Sequence, residues 1–267
     1  MTDFFCETVA CRRNLCIEKI GFVWYNVLIN FGKRTSGRNA ENRGKENAII
    51  IADLIMILYH GSPNEIIVPQ YGFGDGKHDY GRGFYLTEDA ELAKEWAVCR
   101  PDETNGWVHK YELDTADLRI LDFKQYNVLC WLAELMKHRD AADSRRYRVL
   151  AEKFIAKYGI DASEYDVIEG WRADASYFYI AKEFVRDNID IEILEELLSL
   201  GGLGIQYCIK SERAYSKLTE TADSPVCVDY SEFNDRYNRR DIAARKNMRE
   251  LVDSEANKVT NVFSTLF

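Results

Sequence analysis

Three short stretches and one tryptophan carry residue types suited to work on a small ligand. Leu58-Tyr59-His60-Gly61-Ser62 runs apolar residues into a His and a Gly-Ser turn. Tyr80-Gly81-Arg82-Gly83-Phe84-Tyr85-Leu86, preceded by Asp79, is a Gly-rich turn ending on aromatics. Trp96 follows, and Gln206 lies in Gly204-Ile205-Gln206-Tyr207-Cys208-Ile209. A His nitrogen can bond a sugar hydroxyl. The backbone N–H and C=O of a glycine can grip a carboxamide, and an aromatic ring can stack on a flat heterocycle. A side-chain oxygen can bond a second hydroxyl and, if charged, favours positive charge at a neighbouring carbon. Such a set suits breaking a glycosidic bond, where positioning and electrostatics do most of the work. Gln at 206 keeps the acceptor and lacks the charge.

These residues need elements to hold them. Met56 to Ser62 reads as a strand entering a turn. Thr87 reads as an N-cap, with Glu88 and Asp89 in the first turn of a helix carrying Leu92, Ala93, Trp96 and Ala97. Trp107 to Leu113 and Leu118 to Phe123 are strand candidates. Val128, Leu132, Leu135 and Met136 form one helical stripe; Tyr147, Leu150, Ala151, Phe154, Ile155 and Tyr158 form another, closed by Gly159. Asp166 to Gly170 reads as a short strand or loop, and Tyr177–Val185 and Ile191–Leu200 as helices, the second ended by Gly201-Gly202. Alternation over Gly204–Lys210 predicts a half-buried strand whose Gln206, Cys208 and Lys210 face is open to a cleft.

The stretches at His60, Tyr85 and Gln206 resemble, in order, the three signatures of the diphtheria-toxin and poly(ADP-ribose) polymerase clade of ADP-ribosyltransferases. Phe84-Tyr85-Leu86-Thr87, Tyr165-Asp166-Val167-Ile168 and Gln206 through Ala214 resemble a bacterial family of unknown function grouped with those enzymes, with Gln at the third position. The resemblance spans about residues 56–218. It implies an α+β fold: a split, mostly antiparallel pair of sheets with a helical insertion near 124–200. By composition, residues 1–55 read as an extension and 219–267 as a charged helical tail. The 32–47 stretch reads as a linker, and Met56 is one candidate start.

The resemblance also implies NAD as co-substrate. His60 then bonds the adenosine ribose, Gly61 clamps the carboxamide, and Ser62 reaches the nicotinamide-side ribose or the carboxamide. Tyr85 and Trp96 sandwich the nicotinamide, and Gly83 and Phe84 belong to the same cofactor-binding turn. Arg82 or Asp79 touches the phosphates or gates the pocket, and Gln206 bonds the nicotinamide ribose. The implied reaction is mono-ADP-ribosylation of a macromolecule, protein or nucleic acid, by a bacterial toxin or effector with a cognate antitoxin or immunity protein. Without a carboxylate at 206, chain elongation is not expected; Glu169, Asp174 and Glu212 are candidates to activate the acceptor, and Gln206→Glu is expected to raise nicotinamide release. The rival readings are an NAD glycohydrolase and a non-catalytic NAD or ADP-ribose binding module.

Bulk properties narrow the field. The chain has 267 residues, 46% hydrophobic and 30% charged, enough for a core. A net charge of −9 argues against sequence-independent nucleic-acid binding. The basic tail residues Arg236, Arg239, Arg240, Arg245 and Arg249 are interleaved with Asp235 and Asp241, as on a solvated helix face. The seven cysteines, including Cys6, Cys11 and Cys16, form no CxxC pair, so no metal site is expected and a reduced, cytoplasmic setting fits. Ile20 to Phe31 is too short to span a bilayer, which takes ~20 residues. His78, His109 and His138 read as surface or structural. Taken singly, Tyr85 and Trp96 also fit as core aromatics, His60 as a strand-end residue, and Gln206 as a solvated one.

Overall fold

The structure is a computed structural model that describes residues 54–100, 102–141, 144–173, 175–200, 204–254 and 258–267. Met1–Ala52 and Asp53–Phe267 separate into two units, and the first lies outside the described residues. So do the 32–47 linker reading, Cys6, Cys11, Cys16, Asp174 and the Gly201-Gly202 stop.

The second unit is mixed α+β with two sheets. β1 (Ile55–Ser62) pairs antiparallel with β3 (Gly106–Asp114) over its whole length. β7 (Leu218–Glu220) and β8 (Val226–Val228) pair antiparallel with the other edge of β3. The second sheet has the order β2 (Phe84–Leu86), β6 (Ile205–Ile209), β5 (Val167–Trp171), β4 (Ile120–Asp122), and only β4–β5 is parallel. Leu218–Val228 therefore returns to the first sheet before the tail becomes helical. These two strands are three residues each, too short for alternation to reveal.

Seven helices surround the sheets: α1 (Ala90–Val98), α2 (Val128–His138), α3 (Arg145–Tyr158), α4 (Ala175–Val185), α5 (Ile191–Leu200), α6 (Glu212–Ser216) and α7 (Tyr230–Val252), counted among the described residues. Asp89, not Thr87, caps α1, its carboxylate accepting from the N–H groups of Glu91 and Leu92. Thr87 is unavailable because its backbone is engaged elsewhere: its N–H and C=O pair with Tyr59 at 2.9 and 2.7 Å. That bridge joins the edges of the two sheets.

Packing assigns each face. Leu58, Leu86, Tyr111, Leu113, Val167, Tyr207 and Ile209 bury between the sheets. Ala93, Ala97 and Val98 of α1 cover the outer face of the first sheet, against Val108 and Val228. Trp131, Phe154, Tyr177, Phe184 and Phe263 form the largest cluster, which meets the second sheet at Ile168 and Cys208. β6 is thus covered on both sides: Tyr207 and Ile209 face the first sheet, and Cys208 faces the helices. The half-buried strand expected from alternation is corrected here. Gln206 is only 4% exposed, so it is not a solvated residue.

Candidate functional site

The cleft forms where the two sheets part. Past the Tyr59–Thr87 bridge, β1 and β2 no longer hydrogen-bond. Alternation along β1 puts the N–H and C=O of Gly61 on the same edge as those of Tyr59, away from β3. Among the described residues nothing pairs with them. Gly61 also packs tightly on α1: a Cβ there would sit 2.1 Å from the Ala93 carbonyl oxygen. Only glycine fits, and Gly61, expected to clamp a ligand, sits between the cavity-lining His60 and the α1 backbone without itself lining the cavity.

A cavity of about 340 Å³ lies at this opening. It falls in the ~300–1,000 Å³ range of small-molecule sites. His60, Asp79, Gly83, Phe84, Tyr85, Trp96 and Gln206 all line it. His78, Gly74, Arg139, Arg172 and Ala173 complete the wall. A wider depression of about 530 Å³ at Arg145, Arg146, Val149, Leu150 and Ser264 holds none of these groups.

His60 is fixed by its neighbours. Nδ1 donates to the Tyr85 carbonyl at 2.7 Å, and the ring stacks on Phe84 with centroids 4.4 Å apart. Burial pulls its pKa down to about 4, against the opposing bond to Tyr85; nearby His109 lowers it further. The ring is therefore neutral near pH 7. Since a carbonyl only accepts, the proton is on Nδ1 and Nε2 is left as an acceptor.

Tyr85 holds the Gly-rich turn rather than presenting a free hydroxyl. Its OH donates to the Gly81 carbonyl at 2.5 Å and accepts from Tyr80 N–H at 3.0 Å. Burial raises its pKa well above the ordinary phenol range. Gly81 has φ +71, which suits glycine. A Cβ on Gly83 would meet Cys208 Sγ at 2.4 Å, so close contact between turn and β6 requires glycine there. Trp96 has the Arg172 guanidinium 4.4 Å from its ring centre, and its buried indole N–H has no acceptor among the described residues.

Gln206 and Asp79 meet in the wall. Gln206 Nε2 donates to Asp79 Oδ2 at 2.8 Å and points toward the Trp171 carbonyl at 3.4 Å. Asp79 Oδ2 also accepts from Ala173 N–H at 2.8 Å, and Oδ1 accepts from Arg139 at 2.7 Å. Arg139 in turn lies over Phe178 and donates to the Ala173 carbonyl. Asp79 is therefore bound into the wall, beside Gln206.

Other expected residues lie elsewhere. Ser62 is buried off the cavity, and its Oγ accepts from Asn64 N–H. Arg82 is exposed and does not line the cavity. Glu169 pairs with Lys124 and contacts Tyr207, and Glu212 opens α6; neither reaches the cavity. His78, read from sequence as surface or structural, stands in the wall 5.4 Å from the Tyr85 ring. His109 is structural: its two nitrogens contact Glu220 and the Asn64 carbonyl. Arg139 and Arg172 were missed, and no local motif marks either one.

The model of a family described as "Protein of unknown function (DUF3990)" matches residues 56–219. The chain belongs to that family. The DUF3990 span holds every residue of the cavity wall and ends within β7, before β8 and α7. No curated protein and no solved structure matches the chain. Among the described residues no helix is long and apolar enough to cross a membrane.

Proposed function

We propose that this protein is an NAD-dependent mono-ADP-ribosyltransferase acting on a macromolecule. The observation that carries the reading is the convergence of His60, Tyr85 and Gln206, from three distant stretches, on one cavity at the split between two sheets. That split α+β arrangement supports an ADP-ribosyltransferase-like fold. The free Gly61 N–H and C=O suit the carboxamide of nicotinamide. The neutral His60 offers Nε2 to a ribose hydroxyl. Tyr85 and Trp96 offer ring surface to the nicotinamide, and Arg172 offers charge to the diphosphate.

In the reaction, the bond from ribose C1′ to the nicotinamide nitrogen breaks. Its electron pair leaves with nicotinamide, and the positive charge passes from the pyridinium to the ribose. A nucleophile on the acceptor then bonds C1′ and loses its proton to solvent. Held donors and acceptors favour this charge movement. Hydrolysis, with water as the acceptor, is the second reading.

Incubation with labelled NAD and a cell lysate tests the proposal. Nicotinamide release with label on a macromolecule supports transfer, and free ADP-ribose alone supports hydrolysis. Binding without turnover marks a non-catalytic module, and neither binding nor release by folded protein refutes all three.

A further inference from the structure

We infer that the negative charge absent from position 206 is supplied by Asp79 acting through the Gln206 amide, so that Asp79 is the positioning residue for the bond-breaking step. This rests on the reading of the cavity as an NAD site. A carboxylate only accepts hydrogen bonds, so the amide must turn its NH2 toward Asp79 Oδ2, 2.8 Å away. The Trp171 carbonyl at 3.4 Å enforces the same orientation. Oε1 is the atom of the amide left for a ligand, and no donor among the described residues reaches it. Gln206 lines the cavity. An acceptor is thus fixed at the wall, and its dipole is polarised by an anion behind it.

The surrounding charges keep this sense. Arg139 binds Oδ1 while Gln206 binds Oδ2, so the negative end of the ion pair is turned toward the amide. Ala173 N–H holds Asp79 from a third direction. As the C1′–nicotinamide bond breaks and its electron pair leaves with nicotinamide, positive charge grows on the ribose. The Gln206 carbonyl, with Asp79 behind it, faces that charge. The arrangement also accounts for Gln over Glu. A carboxylate at 206 would meet the Asp79 carboxylate at hydrogen-bond distance, and two such groups share a proton rather than both ionise. The expectation that Gln206→Glu raises nicotinamide release is therefore reversed.

A charge-exchange set tests this. Nicotinamide release and calorimetric NAD binding are measured for wild type, Asp79→Asn, Gln206→Glu and the double variant Asp79→Asn/Gln206→Glu, with folding checked by circular dichroism. Asp79→Asn is expected to lower kcat about 100-fold, with Kd for NAD changed no more than about 3-fold. His78 stands in the wall of every form, so the profiles are compared with one another: Gln206→Glu alone is expected to climb with pH relative to wild type and the double variant as the shared proton leaves. The double variant should recover at least about 10-fold over Asp79→Asn. If Asp79→Asn does not fold, Gln206→Glu against wild type still carries the pH comparison. Wild-type kcat in Asp79→Asn, a pH profile in Gln206→Glu that matches wild type, or a double variant no better than the single would each overturn the inference while leaving NAD turnover standing. A folded wild type that neither binds nor cleaves NAD overturns the site reading, and this inference with it.

Discussion

His60 Nδ1 and the carbonyl of Tyr85 are hydrogen-bonded at 2.7 Å across the gap where the two sheets part. Two motifs that lie apart in sequence are thereby locked together, and the His60 tautomer is set by the bond. Neutral His60 has a consequence for stability. With its folded pKa near 4 and its ordinary value 6.5, the unfolded chain binds the proton more readily. Stability is expected to fall as pH drops from about 6.5 toward 4, by roughly 3 kcal/mol from this residue. Urea denaturation at several pH values should show that part of the slope vanish in His60→Gln.

The Tyr85 hydroxyl ties both Gly81 and Tyr80 of the turn. Tyr85→Phe keeps the ring and strands a carbonyl and an N–H. A loss of about 1–3 kcal/mol is expected, together with weaker NAD binding because the turn forms one wall. Chemical denaturation and calorimetry on the same preparation separate the two effects.

Gly61 tests the packing on α1. A methyl group there would meet the backbone of Ala93 and Ala97. Gly61→Ala is expected to cost about 3 kcal/mol and to separate β1 from α1. An unchanged melting temperature would show that the strand does not lie against the helix in this way.

Trp96 tests the second ring face. Trp96→Ala should weaken NAD binding about 10-fold or more, as expected for loss of a stacking ring worth about 1–3 kcal/mol. Arg172, now over that ring, must move or share the face when a ligand stacks there. Titration calorimetry of the variant gives the answer directly.

Much of this architecture was legible because it is local. Helical stripes such as Tyr147 to Tyr158 and the alternation of Gly204–Lys210 depend on neighbours only three or two residues away. The three motifs were legible because glycines and aromatics are concentrated in them. What was not legible depends on distance along the chain. Asp79 and Gln206 are 127 residues apart, and Asp79 and Arg139 are 60 apart. Each looks ordinary in its own window. Thr87 was misread as a cap because sequence could not show its backbone bridge to Tyr59. Gln206 read as half-open because periodicity cannot show a second layer over a strand; here the helices supply it.

The most direct test of the central claim is nicotinamide release from NAD by purified protein, compared with His60→Ala. Time-dependent release by wild type and a loss of about 100-fold or more in the variant are expected. Release that is the same in both, or absent from a folded wild type, would contradict the claim.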